Sequence, residues 1–301
     1  MSSSSSAIGS TKQFSALVLA CLAIVYFVWG STYLAIALVL ETMPPLLMTS
    51  ARFVVAGVFM IVFLAVRGSL KIPTTKELFN CTLVGGAMLG LGVGGIGIAE
   101  QTISSGLASV GIATVPIWAV LFAGLFARQW PNQWEISGIC LGFAGVFLLN
   151  LQSGFGSGGI GAIIIVLAAL FWALGSVASK IITLPEGPSA YAFEMLMGGL
   201  AIGIIGFAAN ESFSVMPSVR SFSAWLFLVV GGSLFAYSAY MYLLQTVRTS
   251  VATSYAFVTP VVAILLGVYF LGETLDLYSL GAMVCVIAGV LCIFRGKEES
   301  P

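Results

Sequence analysis

Two charged side chains stand apart in this sequence. Arg52, in SARF, and Glu194, in AFEM, are the clear charges well inside long apolar runs. An ionised group at the centre of a membrane-spanning helix costs about 2.5–3.5 kcal/mol on insertion scales, so each should face protein or water. Functional pairing or gating is one use for them. Snorkelling to a helix end or a structural contact is the other, since both lie within about two turns of a helix start. Aromatic and hydroxyl residues recur at helical spacing in the same runs. Trp29 and Thr32 share one helix face, and Trp172 and Ser176 share another. Ser109 and Tyr255 lie near two prolines, Pro116 and Pro260, and Tyr237 and Tyr240 follow Gly231 and Gly232. These eight aromatic and hydroxyl residues suit a small amphipathic solute with an apolar body and polar ends. The competing reading assigns tryptophan and tyrosine to interfacial belts and serine to helix packing. Trp130 and Trp134, beside a loop, are read as belt residues.

Other chemistries lack their residues. The chain has no histidine, and its five cysteines lie in apolar stretches without a CxxC pair, so no metal and no cofactor are expected. No nucleophile and base stand at a shared depth, which argues against an intramembrane enzyme. The glycine-rich stretch 85–97, GGAMLGLGVGGIG, follows no strand and carries no Lys-Ser/Thr, which argues against nucleotide binding. Small residues there let helices approach closely, and the tyrosines of GGSLFAYSAYMYLL would form the opposite, aromatic wall of a pocket. No charged ring or filter suggests a channel. The chain offers nothing for nucleic acid.

Membrane helices must position these residues. Hydrophobic residues make up 59% of the 301-residue chain and charged ones 7%, with a mean hydropathy of +1.11. A bilayer core about 30 Å thick needs roughly 20 apolar residues per span. Apolar runs at 14–40, 46–67, 78–100, 106–127, 134–151, 159–181, 189–209, 222–244, 250–271 and 277–294 therefore predict an all-α integral membrane protein with ten transmembrane helices in the lipid bilayer. The first run is read as a retained helix and not a signal peptide. With ten spans both termini share a side. That side collects Lys12, Arg67, Lys71, Lys76, Arg128, Lys180, Arg248, Arg295 and Lys297, against Arg220 alone on the other. The bias predicts cytoplasmic termini.

The chain also repeats itself. At an offset of 144, Pro260 matches Pro116, Gln245 matches Gln101, Ala252 matches Ala108 and Gly289 matches Gly145. Gly175-Ser176 matches Gly30-Ser31 at 145. Ordered matches predict a duplication: a polar tail at 1–13, a five-helix repeat at 14–151, a second at 159–294 and a C-terminal tail at 295–301. Five helices per copy turn the second copy upside down. That explains why ARQW closes the Pro116 helix with arginine and GETLD closes the Pro260 helix with acid. Inverted copies can expose a central cavity to either side in turn, which is alternating access. Pro116 and Pro260, each expected near mid-helix, lack an amide donor and so leave the carbonyls of Ile112 and Ala256 without their usual partner. They are either hinges or fixed kinks, and with Arg52 and Glu194 they form the candidate hinge or gating set.

WGSTYLAI, PPLLMTSARF, SGLASVGIATVP and VATSYAFVTPVVAILLGVYFLGETL resemble the EamA-type exporters of the drug/metabolite transporter superfamily, near the bacterial amino-acid exporters that include aromatic ones. The W-G-S-x-[FY] motif stands at Trp29–Tyr33 and G-E-x-L within Leu271–Leu275, while ARQW replaces the acidic motif in the first half. The resemblance implies ten helices, an inner-membrane location and export of small metabolites. The leading expectation is a secondary exporter of amino acids, aromatic or otherwise hydrophobic. The alternative is a broad multidrug or other metabolite exporter. A monomer is expected, with a dimer as the alternative.

Overall fold

The computed structural model describes residues 15–103, 105–151, 159–271 and 277–296. Residues 1–14, 104, 152–158, 272–276 and 297–301, and with them the whole G-E-x-L motif, lie outside the described residues. The described elements are all helical. In chain order they are α1 (Ala16–Leu40), α2 (Pro45–Val66), α3 (Thr75–Ala99), α4 (Leu107–Ala127), α5 (Gln133–Leu151), α6 (Gly159–Ile181), α7 (Pro188–Ala208), α8 (Val219–Thr246), α9 (Tyr255–Leu271) and α10 (Leu277–Arg295). A helical turn, Thr249–Thr253, leads into α9. Seven of them, α1–α4 and α6–α8, are long and apolar enough to cross a membrane, and α5 and α10 contain shorter apolar stretches.

Polar caps set several of the starts. The Ser15 hydroxyl accepts from the Val18 amide at 3.2 Å, and Pro45 and Pro188 occupy the first turns of α2 and α7, where a missing N–H costs nothing. Two helices begin three residues before the expected positions 78 and 222. In α3, Thr74 and Glu77 form a reciprocal capping box; in α8, Ser218 accepts from the Ser221 amide. Charges and hydroxyls taken for loop are the caps themselves.

Three departures from regular helix lie close to the interface between the halves. Gly86–Val93 in α3 and Leu228–Tyr237 in α8 are π-helical, at corresponding places in the two halves. Such wide turns cluster at functional positions because they displace side chains and free carbonyls. The third departure corrects an expectation. Pro116 does not bend a continuous helix: α4 breaks at Ala113 and Thr114, and Pro116 lies in the first turn of the piece Val115–Ala127. The Thr114 hydroxyl donates to the Gly111 carbonyl at 2.6 Å across the break. Pro260 does lie inside α9, a turn and a half after Ser254 interrupts the chain.

The most extensive helix contacts join α5 to α10 and α2 to α7, each helix packing on its counterpart five helices away. Further contacts between halves also come in matched pairs: α3 on α6 with α1 on α8, α3 on α7 with α2 on α8, and α4 on α6 with α1 on α9. This is the pattern of a two-fold arrangement, in which a patch meets its own equivalent. Small residues allow it. A Cβ on Gly138 would stand 2.5 Å from the Gly289 carbonyl, and one on Gly289 would stand 2.7 Å from that of Gly138, so α5 and α10 touch backbone to backbone. Large apolar side chains such as Phe27, Ile204, Phe207 and Val284 point outward, as a lipid surrounding requires.

Candidate functional site

A cavity with room for water-sized spheres over ≈ 60 Å³ lies between the two halves. The first half contributes Trp29, Thr32, Tyr33 and Arg52, with Gly92 and Val93 of α3 and Ile112 and Val115 of α4; the second contributes Trp172, Gly232, Tyr237, Tyr255 and Thr259. On α1 the lining residues run from Trp29 toward the C-terminal end, and on α2 they lie near its start. The cavity therefore occupies the part of the bundle nearest the α1–α2 turn.

Its floor is aromatic. Trp29 lies 5.3 Å from Trp172, 5.1 Å from Tyr240 and 4.7 Å from Tyr255, ring centre to ring centre, with the first and last pairs edge-on. Trp172–Tyr240 and Tyr240–Tyr255 close the cluster at 5.6 and 5.4 Å. Such spacings are those of favourable aromatic pairs, each about 0.5–1.5 kcal/mol beyond burial. The polar ends of the rings are already engaged. Trp29 Nε1 donates to the Gly232 carbonyl at 3.2 Å within the π-helical turn of α8, and Trp172 Nε1 donates to the Tyr240 hydroxyl at 3.3 Å. Ser176 and Tyr240 hydroxyls meet at 2.9 Å, and Ser176 also donates to the Trp172 carbonyl. The floor is thus a braced apolar surface, and the aromatic N–H groups serve the protein.

The two buried charges, equivalent in sequence, have unlike surroundings. Arg52 is 4% exposed and lines the cavity; its Nε donates to Ser233 Oγ at 2.8 Å, and its guanidinium carbon lies 4.8 Å from the centre of the Phe53 ring. Gly232 makes room for it, since a Cβ there would stand 2.6 Å from Arg52 Nη2. Glu194 is fully buried behind Tyr237, whose hydroxyl donates to Oε2 at 2.8 Å, while Oε1 has no partner among the described residues. Ser233 and Tyr237 are one turn apart on the same π-helical stretch of α8. That stretch holds the two charges by separate hydroxyls, and the described ion pairs, Arg220–Glu41 and Arg248–Glu135, include neither of them.

Of the residues singled out by sequence, Trp29, Thr32, Arg52, Trp172, Tyr237 and Tyr255 line the cavity. Tyr240 and Ser176 lie behind the lining, in the braced floor. Ser109, Pro116 and Pro260 are buried outside the lining, although Val115 and Thr259, the chain neighbours of the two prolines, belong to it. Tyr33, Gly232 and Thr259 were not anticipated. Tyr33 was legible only as the last residue of the W-G-S-x-[FY] motif, and Thr259 as the residue before Pro260.

A second unanticipated group joins the halves at the other end of the bundle. Glu135, at the start of α5 and 1% exposed in its side chain, accepts from Arg248 Nε at 2.7 Å and Nη2 at 2.8 Å. It also accepts from the Ser250 hydroxyl and from the Asn132 amide, while Asn132 Nδ2 donates to the Gly296 carbonyl at 2.5 Å. Lys180 Nζ adds a bond to Thr249 Oγ1 at 3.2 Å. Two-pronged arginine–carboxylate geometry is the strong form of such a contact. Between this polar tie and the cavity stands the aromatic floor.

Comparison with known proteins agrees with this geometry. The pattern of the EamA-like transporter family matches twice, at residues 15–151 and 159–295. A protein of Escherichia coli K12 named "Uncharacterized inner membrane transporter YedA" is 40% identical over 277 residues, covering 92% of this chain and 90% of that one. An "Uncharacterized transporter" of Archaeoglobus fulgidus is 25% identical over 281 residues, covering 92% and 98%. A crystal structure with 18% identity superposes at a TM-score of 0.76 over 93% of this chain and 97% of the other, a likeness of fold. The two family matches fall on the two halves that bound the cavity. This chain is a two-repeat, multi-pass membrane transporter and belongs to the EamA-like transporter family.

Proposed function

We propose that this transporter is a secondary exporter of amino acids, aromatic or otherwise hydrophobic, working by alternating access through the cavity between its halves. The observation that carries the reading is the cavity itself, walled by both repeats and floored by Trp29, Trp172 and Tyr255. A ring-bearing solute gains by stacking on that floor, and a cavity at a repeat interface changes its exposure when one repeat rocks against the other. In this reading ten helices span the inner membrane as two inverted five-helix repeats, with both termini cytoplasmic, and a single chain suffices. The cavity then lies toward the outside. The Glu135–Arg248 tie and the aromatic floor close the cytoplasmic side. Pro260, inside α9 next to cavity-lining Thr259, acts as a hinge during the exchange.

The test is flux in proteoliposomes with the purified full chain and a panel of radiolabelled amino acids, with and without a pH gradient or unlabelled solute opposite. Saturable flux of phenylalanine or tryptophan is expected, several-fold above that of glycine or aspartate. Absence of flux for every amino acid, in vesicles shown to contain folded protein, would overturn the assignment.

A further inference from the structure

The cavity carries one fixed charge, and it is positive. Arg52 carries a guanidinium, and among the described residues its hydrogen-bond partner is Ser233, 2.8 Å from Nε. The residues around the cavity include no aspartate or glutamate. Glu194 stands behind Tyr237 and accepts a bond from that hydroxyl. Arg52 thus lines the solute space with no described carboxylate paired to it. A second polar group waits nearby. Thr259, 1% exposed, lines the same cavity with its hydroxyl toward that of Tyr33. A buried cation is costly unless compensated, and the part of the molecule left to compensate this one is the space a solute enters.

We propose that Arg52 anchors an anionic group of the transported solute, and that an ammonium group on that solute is dispensable. The solute class is a carboxylate on an aromatic or apolar body: the carboxylate pairs with the Arg52 guanidinium, and the body rests on Trp29 and Trp172. An amino acid satisfies this through its carboxylate, because no acidic side chain is among the lining residues; Glu100, close to lining Tyr33, stands outside the lining with neither carboxylate oxygen hydrogen-bonded among the described residues. Organic cations are repelled. The inference rests on the exporter reading above and narrows it.

Four phenyl solutes of one size separate the charges: 3-phenylpropanoate (anion), phenylalanine (zwitterion), 3-phenylpropanamide (neutral) and phenethylamine (cation). Binding to the purified full chain is measured by equilibrium dialysis with radiolabelled solute at neutral pH, alongside flux in proteoliposomes. A charge-assisted hydrogen bond is worth roughly tenfold or more in affinity. The propanoate and phenylalanine should bind at least about tenfold tighter than the amide, with phenethylamine weakest. Arg52→Gln should erase the difference between propanoate and amide, and Arg52→Lys should restore part of it. If the amide or the amine binds as well as the propanoate in the unaltered protein, the proposal is overturned while the exporter reading stands; this arm does not depend on any variant folding. If phenylalanine binds and the propanoate does not, the dispensable ammonium is overturned. If none of the four binds or moves, the Arg52 proposal falls, and the exporter reading is decided separately by the amino-acid flux panel.

Discussion

Glu135→Gln should shift the carrier toward the state in which the cavity faces the side bearing the chain ends. The residue ties α5 to the α8–α9 connection. Glu135 is 1% exposed and takes two bonds from Arg248, one from Ser250 and one from its own capping turn at Asn132. Breaking a fully buried ion pair costs about 3–5 kcal/mol, but the Arg248 side chain is 31% exposed, and water screens part of the attraction. The loss should therefore be near that of one or two charge-assisted bonds, about 1.5–3 kcal/mol. The glutamine keeps the shape and some of the hydrogen bonds while it loses the charge. If the tie exists only in the present state, its loss multiplies the population of the alternative by roughly 10 to 150. The assay places a single cysteine at Val115, which lines the cavity, in a background whose five native cysteines are replaced. An impermeant maleimide is then applied from the side bearing the termini, in vesicles of known orientation. Labelling should accelerate at least several-fold in the variant and slow from the opposite side. Equal rates in both backgrounds, with equal labelling of denatured protein, would show that Glu135 and Arg248 hold shape without closing a gate.

Trp172→Ala and Tyr237→Ala should each lower flux at least several-fold at unchanged abundance, since both line the cavity and Tyr237 also seals Glu194; normal transport in both would remove the aromatic floor from the mechanism. Tyr237→Phe should leave Glu194 without its partner and cost about 1–3 kcal/mol of stability, read as a lower midpoint in a thermal unfolding series. Pro260→Ala should slow turnover more than it changes apparent affinity, as expected of a hinge; an unchanged turnover rate would make Pro260 a fixed kink. Gly289→Leu should destabilise the folded protein by at least about 1–3 kcal/mol, because even a Cβ there would stand 2.7 Å from the Gly138 carbonyl. Detergent stability measured by size exclusion after heating reports it, and an unchanged profile would contradict the close α5–α10 packing.

Composition and periodicity alone determined that this chain is a helical membrane protein, because a span must be apolar for about 20 residues whatever it packs against. The duplication was equally legible, because matched positions survive in order along the chain. Six of the residues singled out line the cavity: five are aromatic or charged side chains inside an apolar run, and the sixth, Thr32, shares the helix face of Trp29. What sequence could not give is how far-apart residues meet. Glu135 and Arg248, 113 positions apart, read as ordinary charges flanking loops until packing brings α5 against the α8–α9 connection. Arg52 and Glu194 occupy matching places in the two repeats and read as one kind of residue. Only the fold separates them, because the π-helical stretch of α8 gives Ser233 to one and Tyr237 to the other. The break before Pro116 is of the same kind, since a proline permits either a kink within a helix or the start of a new one, and the choice belongs to the neighbours that pack around it. The sequence by itself thus determined the solvent, the helices and the repeat, which depend on transfer energy and local spacing. The tertiary structure decided which charge meets the cavity and which contacts close it, since those depend on distances that no local pattern encodes.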